Sequence, residues 1–265
     1  MIDIHSHILP GIDDGARTLE ESLEMAEIAA ADGIEQIVAT PHVFKGLSDD
    51  PEPAEVIDQV NALQAAVAAK LRILPGSEAH VTHDLAEQAK LQRVTTINRR
   101  NYLLVEFPQV TVPVGADEIF YKLQLQAIHP ILVHPERNIQ IQKQPSLVAG
   151  FVARGVFTQV TAMSIAGEFG TPAKKCAETL LQHNCVHFLA SDAHRPSKRP
   201  PILSRGRDAA ARIVGEEKAR RLVYDNPLAV VEGRPLNVEK PVSFDSLKVS
   251  WLGRILGTEA GNWGQ

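Results

Sequence analysis

Two histidines, His5 and His7, follow a short apolar run at the start of the chain. In an extended segment alternate side chains point the same way, so both imidazoles can face one point and form half of a metal site. Asp13 and Asp14 follow at once in a turn bounded by Gly11 and Gly15, where carboxylates can swing in as further hard ligands. Later apolar runs end the same way: His42, Glu78, Glu106, His134, and Asp192 with His194 each stand at or just past one. A single strand-end histidine is more often a hydrogen-bonded structural residue than a ligand. That explanation weakens for the set, because it needs a separate reason at every strand end. The candidates are therefore His5, His7, Asp14, His42, Glu78, Glu106, His134, Asp192 and His194. Mixed imidazole and carboxylate sets suit Mn, Fe or Zn. They are too many for one ion and suit two or three that share a bridging carboxylate. Ions about 3.5–4 Å apart can clamp a phosphate oxygen and hold a hydroxide for in-line attack. Arg137, three residues after His134, lies at the same mouth, and its planar fork matches phosphate oxygens. Arg195 and Arg199 compete for a similar role after His194.

These residues need elements to hold them. Met1 to Ile4 reads as a strand. Thr18 and Glu21 form a capping box that opens a helix to about Asp32, ended by Gly33. Strands are expected at 34–40, 71–78, 102–107, 130–134, 156–161 and 187–191. Helices are expected between them, at about 53–70, 84–92, 117–127, 145–154 and 172–183. The strands are continuous apolar runs, as in a parallel sheet covered on both faces. Alternation of this kind implies an open doubly wound sheet or a closed barrel. Chemistry-bearing residues at six strand ends favour the barrel, where all such ends meet on one face. The expected fold is an irregular α/β barrel of about seven parallel strands, one short of the usual number. One or two helices over 202–223 and a short one after Asp225 complete it. After residue 236 the composition shifts. Leu247, Trp251, Leu252, Ile255 and Leu256 could form an amphipathic turn or two, packed on the same chain. The division expected is a catalytic barrel over 1–236 and an extension over 237–265.

The 265 residues, 44% hydrophobic and 22% charged, allow a sizeable core without a structural staple. A net charge of -5 gives no general attraction to nucleic acid. Cys176 and Cys185 are too few for a disulfide framework. Neither has an arginine six residues on, so there is no Cys-x5-Arg phosphatase loop. No apolar run is long enough to span a bilayer, no signal peptide precedes the first strand, and the expected location is the cytoplasm.

The segments MIDIHSHILPGIDDG, ATPH, GSE, VEFP, HPERN, TAMSIAGEFG, SDAH and DNPLAVVEGRPL together resemble the PHP superfamily (polymerase and histidinol phosphatase). Within it they are similar to the bacterial manganese-dependent protein-tyrosine phosphatases of capsule and exopolysaccharide gene clusters. The likeness covers residues 1 to about 236. It implies a PHP-type irregular barrel with a trinuclear centre. One ion would be held by His5, His7, Glu78 and Asp192. A second would share Glu78 and add Glu106 and His134, and a third would take Asp14, His42 and His194. The resemblance also implies that Arg137 and Arg199 bind phosphate, and it counts Asp192 and His42 with them as catalytic. The metal implied is manganese, two or three ions, with Fe, Zn, Co or Mg as substitutes. The implied reaction is hydrolysis of protein phosphotyrosine by a metal-activated water. The implied partner is the tyrosine-rich tail of a bacterial tyrosine kinase. Rival readings are a PHP phosphoesterase of histidinol phosphate or another small phosphomonoester, and a metal-binding module that docks on a kinase without catalysis. His80, His83, His129, His183 and His187 have no matching ligand role and read as surface or structural, His80 being nearest to a ligand.

Overall fold

The computed structural model describes residues 1–46, 50–67 and 71–244. The possible amphipathic stretch around Leu247–Leu256 lies outside the described residues, as do the last turn expected for the helix at 53–70 and the middle of the loop after Phe44. Nine strand segments are described: β1 (Ile2–Ser6), β2 (Gln36–Ala39), β3 (His42–Val43), β4 (Arg72–Pro75), β5 (Glu78–His80), β6 (Tyr102–Glu106), β7 (His129–Val133), β8 (Phe157–Thr161) and β9 (Phe188–Ala190). All pair in parallel, in two sheets of order β1-β2-β4 and β3-β5-β6-β7-β8-β9.

The expected third strand is broken in two, and the expected second ends before Pro41 as read, with a further short strand just beyond it. Thr40-Pro41 separates β2 from β3, and Gly76-Ser77, just after Pro75, separates β4 from β5. Proline has no N–H for the ladder, and the strand segments change neighbours past each proline. Gly76 is required there, since a Cβ would lie 2.8 Å from Val38 Cγ1. The expected irregular barrel thus takes the form of two sheets rather than one continuous ladder. The far edges touch. Ser6 and Ala193 form a parallel bridge, His7 N donates to Ala193 O (2.7 Å), and Asp192 N donates to His5 O (2.9 Å). Asp3 supports this seam, accepting from Ser191 N (3.0 Å) and from the Ser191 hydroxyl.

Alternation along the strands makes two cores. Leu103, Val105, Leu132, Val160 and Leu189 join the larger cluster with helix residues such as Met25, Leu63, Phe120 and Leu180. Their neighbours Tyr102, Leu104, Ile131, Val133 and Phe188 join Ile2, Ile4, Val38 and Leu74 in a smaller one on the opposite face. Val230 and Val231, from the helix Asn226–Glu232, belong to that cluster too.

The capping box forms as expected, with Thr18 accepting from Glu21 N at the start of Leu19–Ala31. Two helices were not anticipated, Ile139–Lys143 and Ala162–Ala166. At five residues each, they are too short to show a helical period. Of the one or two helices expected over 202–223, two form, Ser204–Val214 and Glu216–Arg220, parted at Gly215 (φ 85) and followed by a wider π turn at Arg221–Asp225. Past residue 236 the described chain lies back on the body: Val242 N donates to His183 O (2.9 Å), and Phe244 stacks on His183 with ring centroids 3.7 Å apart. No helix among the described residues is long and apolar enough to cross a membrane.

Candidate metal centre

His5, in β1, and His7, just past its end, reach the centre where the strand is irregular. Ile2 and Ile4 point into the smaller core, so odd-numbered neighbours should point away from it. The register against β2 shifts between Asp3 and Ser6. Such shifts re-aim side chains beside functional sites, and here both His5 and His7 are fully buried within the cluster. Two later candidates stand on left-handed backbone, His134 (φ 35) just after β7 and Asp192 (φ 52) just after β9. Neither is glycine, and a β-carbon makes this conformation costly, a strain that tends to collect at functional sites.

The candidates from the strand ends meet. Glu78 lies at the middle: its Oε2 is 3.2 Å from His5 Nε2, 3.3 Å from His7 Nε2 and 2.9 Å from His42 Nδ1. Its Oε1 is 2.8 Å from His134 Nε2. Asp192 Oδ1 is 3.6 Å from His5 Nε2 and 3.5 Å from His7 Nε2. Asp14 Oδ1 is 3.3 Å from both His42 Nε2 and His194 Nε2. Glu106 Oε1 lies 4.0 Å from His134 Nε2, and its Oε2 lies 3.8 Å from His42 Nδ1. Donor atoms fall within 4.8 Å of one another in four groups: His5/His7/Asp192, His5/Glu78/His134, His42/Glu78/Glu106 and His7/Asp14/His42/His194. His7 thus adjoins the Asp14 group as well as the pair with His5.

Several buried polar atoms here have no hydrogen-bond partner among the described residues: His5 Nε2, His7 Nε2 and Glu78 Oε2. Leaving such atoms unsatisfied costs about 1–3 kcal/mol each. Imidazole nitrogens and carboxylate oxygens facing one another without hydrogen bonds are the donor set a first-row divalent ion takes. The other ring nitrogens are oriented, His5 Nδ1 by Gln159 Oε1 (2.9 Å) and His7 Nδ1 by Asp13 Oδ2 (2.6 Å). That is how protein ligands are held for a metal.

The electrostatics agree. Burial would push the His7 ring down, but the carboxylates of Asp13, Asp192 and Glu78 together, Asp13 foremost, hold the ring well above its ordinary value. His42 is raised to about 9, burial being overcome mainly by Glu78. His194 is lowered to about 4 by burial and by His7. Burial would raise Glu78 and Asp192, but neighbouring cations, His5 first, hold both carboxyls well below their usual range. The cluster's charge is balanced by imidazole protons that a metal cation would displace.

Two cations flank the carboxylates. Arg137 Nη1 donates to Asp192 Oδ2 (2.6 Å), and Arg199 Nη2 pairs with the same oxygen. Arg195 turns away, with Nη1 3.7 Å from Glu21 Oε2, so Arg199 is the second arginine of the mouth. The sequence reading did not single out Asp13 as the partner of His7, nor Gln159, nor Lys45, whose Nζ lies 2.9 Å from His42 Nε2 and 3.3 Å from Glu106 Oε2. Asp13 carried the one usable signal, its place beside Asp14 in the glycine-bounded turn. His80, expected to be surface or structural, lies with Nδ1 3.4 Å from Glu106 Oε2. A cavity of about 430 Å³ lined by Gly11, Ile12, Asp13, Asp14, His42 and Lys45 opens the centre on one side.

A family model described as capsular polysaccharide synthesis, CpsB/CapC, matches residues 1–232. The tyrosine-protein phosphatase YwqE of Bacillus subtilis is 41% identical over 202 residues, 75% of this chain and 79% of its own. The tyrosine-protein phosphatase CpsB of Streptococcus agalactiae is 33% identical over 241 residues, 88% of this chain and 98% of its own. Among solved structures, work on YwqE of Bacillus subtilis and CpsB of Streptococcus pneumoniae, described as unique metal-dependent tyrosine phosphatases, supplies a match. Its TM-score is 0.88 at 34% identity, over 91% of this chain and 98% of that one. The histidinol phosphate phosphatase of Lactococcus lactis shares the fold more distantly, with a TM-score of 0.51 at 13% identity over 84% of this chain and 93% of that one.

Proposed function

The chain belongs to the CpsB/CapC family of capsular polysaccharide synthesis, and from that premise we propose that it is a metal-dependent phosphomonoesterase that hydrolyses protein phosphotyrosine. The observation that carries the reading is the convergence of His5, His7, Asp14, His42, Glu78, Glu106, His134, Asp192 and His194, with buried nitrogen and oxygen atoms left unpaired at its middle. Names borne by relatives support the substrate: YwqE, CapC and CpsB are tyrosine-protein phosphatases, the CapC assignment being putative in its own name.

Glu78 sits where it can be shared between two metal positions, one with His5, His7 and Asp192 and one with Glu106 and His134. Asp14, His42 and His194 would hold a third. Manganese is the metal proposed, the mixed donor set suiting it and its first-row neighbours. Bound there, the ions supply positive charge for the phosphoryl oxygens and lower the pKa of a water. Arg137 and Arg199 bind the phosphoryl group and neutralise charge as it develops. Asp192 holds both arginines and takes part in the metal set. Gln159 and Asp13 fix the rings of His5 and His7. The catalytic unit is proposed to be residues 1–236 and the remainder an extension. The substrate proposed is the tyrosine-rich tail of a bacterial tyrosine kinase of capsule or exopolysaccharide synthesis, met in the cytoplasm.

The test is phosphate release from a phosphotyrosine peptide, with and without manganese, beside histidinol phosphate and a short DNA. Manganese-dependent release from the peptide alone is expected. Asp192→Ala should lose at least about a hundredfold in turnover, since it takes a ligand and the anchor of both arginines together. Parental turnover in that variant would sink the reading, and preference for histidinol phosphate would move the chain to small phosphomonoesters.

A further inference from the structure

Phe169 carries no chemistry of its own, yet it stands beside the arginines of the mouth. The Arg137 guanidinium carbon lies 4.9 Å from its ring centroid, and that of Arg199 lies 5.6 Å away. Both are within the distance at which a guanidinium is attracted by an aromatic face. The two arginines come from different strand ends, Arg137 after β7 and Arg199 after β9, and both pair with the same oxygen of Asp192. One ring and one carboxylate oxygen therefore hold the pair together. Arg199 Nε is buried and has no hydrogen-bond partner among the described residues, a donor left for something else.

Phe169 lies in a short turn between two helices. The helix Ala162–Ala166 ends at Gly167 (φ 97), and Gly170 (φ 85) leads into the helix Thr171–Gln182. Both backbone angles suit glycine. The first helix is tied in turn to the arginine's own segment: Thr161 N (3.1 Å) and Ser164 Oγ (2.6 Å) donate to the buried carboxyl of Glu136, the neighbour of Arg137.

Building on the phosphatase reading above, we propose that Phe169 is a positioning residue of the phosphate clamp, its ring holding the Arg137 and Arg199 guanidiniums as a preorganised pair. It acts through the arginines. Its loss should weaken capture of the phosphoryl group and leave metal binding unchanged.

The experiment uses the manganese-loaded full chain and two variants, Phe169→Leu and Phe169→Tyr. Inorganic phosphate affinity is measured by calorimetry, and kcat and KM are measured on a phosphotyrosine peptide and on an alkyl phosphate. Leucine keeps an apolar side chain without an aromatic face, and tyrosine keeps the face. The expected result is a phosphate affinity about 5- to 30-fold weaker in the leucine variant, the scale of two cation–π contacts. KM should rise for both substrates, metal content should stay parental, and the tyrosine variant should lie within about twofold of the parent. Should the leucine variant unfold, Phe169→Met serves in its place. Parental phosphate affinity in the leucine variant overturns the proposal, as does an equal loss in the tyrosine variant. A loss confined to the aryl substrate overturns it too and makes the ring a wall for the substrate. A parent that binds phosphate but never turns over phosphotyrosine defeats the tyrosine-phosphatase reading and leaves the clamp standing.

Discussion

Asp13 shows how much of a site one side chain can organise. Its Oδ2 lies 2.6 Å from His7 Nδ1 and accepts the His42 backbone N–H (3.2 Å), while Oδ1 accepts from Gly15 N (2.9 Å). Gly15 must be glycine, because a Cβ would lie 2.4 Å from that of His7. The carboxylate raises the electron density of the ring it orients and helps it hold a cation. Asp13→Asn keeps the shape and loses the charge. It should lower metal affinity about 10- to 100-fold, read by titrating the metal-free protein with manganese; an unchanged affinity would remove Asp13 from the centre. Most of the ligand candidates could be singled out in the sequence because they stand at the ends of apolar runs, which converge in this class of fold, and Asp14 because it shares a glycine-bounded turn with Asp13. Their supporting residues could not. Gln159 meets His5 across 154 positions of sequence, and nothing local marks a glutamine on an apolar strand as a ligand's partner. The left-handed backbone of His134 and Asp192 was hidden for a related reason: tertiary packing imposes it against local preference.

At the scale of elements, helices with full periods could be read, and short or kinked pieces could not. The helix Ser204–Val214 packs on Ala162–Ala166 through Gly206, where an added Cβ would lie 2.6 Å from Ala162 Cβ and 2.7 Å from its Cα. Neither partner can yield without moving backbone, so Gly206→Ala should cost about 1–3 kcal/mol. The urea midpoint should fall with an unchanged slope; an unchanged midpoint would show that the contact relaxes freely. The neighbourhood of β9 carries a pH dependence of its own. His187, just before it, is nearly fully buried, and its Nδ1 accepts from Thr158 N (3.0 Å). Burial lowers its pKa from 6.5 to about 4. The unfolded chain therefore takes up this proton first as the pH falls. The ring's contribution is intact above about pH 6.5 and is lost as pH drops toward 4, by up to about 3 kcal/mol. His187→Asn retains an acceptor for Thr158 N and cannot titrate, so its stability should fall less steeply over that window than the parent's. Parallel pH profiles would mean that the acid sensitivity arises elsewhere.

For the whole molecule, the two sheets are joined most closely where the chemistry is. The candidate ligands come from β1 and the turn after it, from β3, β5 and β6, and from the segments just past β7 and β9, so they draw on both ladders. At the seam the backbone contributes one bridge and a few hydrogen bonds between Asp3–His7 and Ser191–Ala193. Without a cation, the centre keeps buried nitrogen and oxygen atoms unpaired, and the carboxylates of Glu78, Glu106 and Asp192 share a largely dry space. A metal that binds only the folded chain relieves both conditions and ties the seam shut, so its binding free energy appears as folding stability. At a thousand times its dissociation constant a single ion adds about 4 kcal/mol, which in a chain of this size raises Tm by about 8–16 °C. The expected outcome is that a chelator lowers the thermal midpoint by an amount of that order and that added manganese restores it. Asp192→Ala, lacking one ligand of the set, should show a smaller difference between the two conditions. Equal midpoints with and without chelator in the parent would mean that the strand ends meet for a reason other than holding metal, because a site drawn from both sheets cannot bind an ion tightly and leave the fold's stability unchanged.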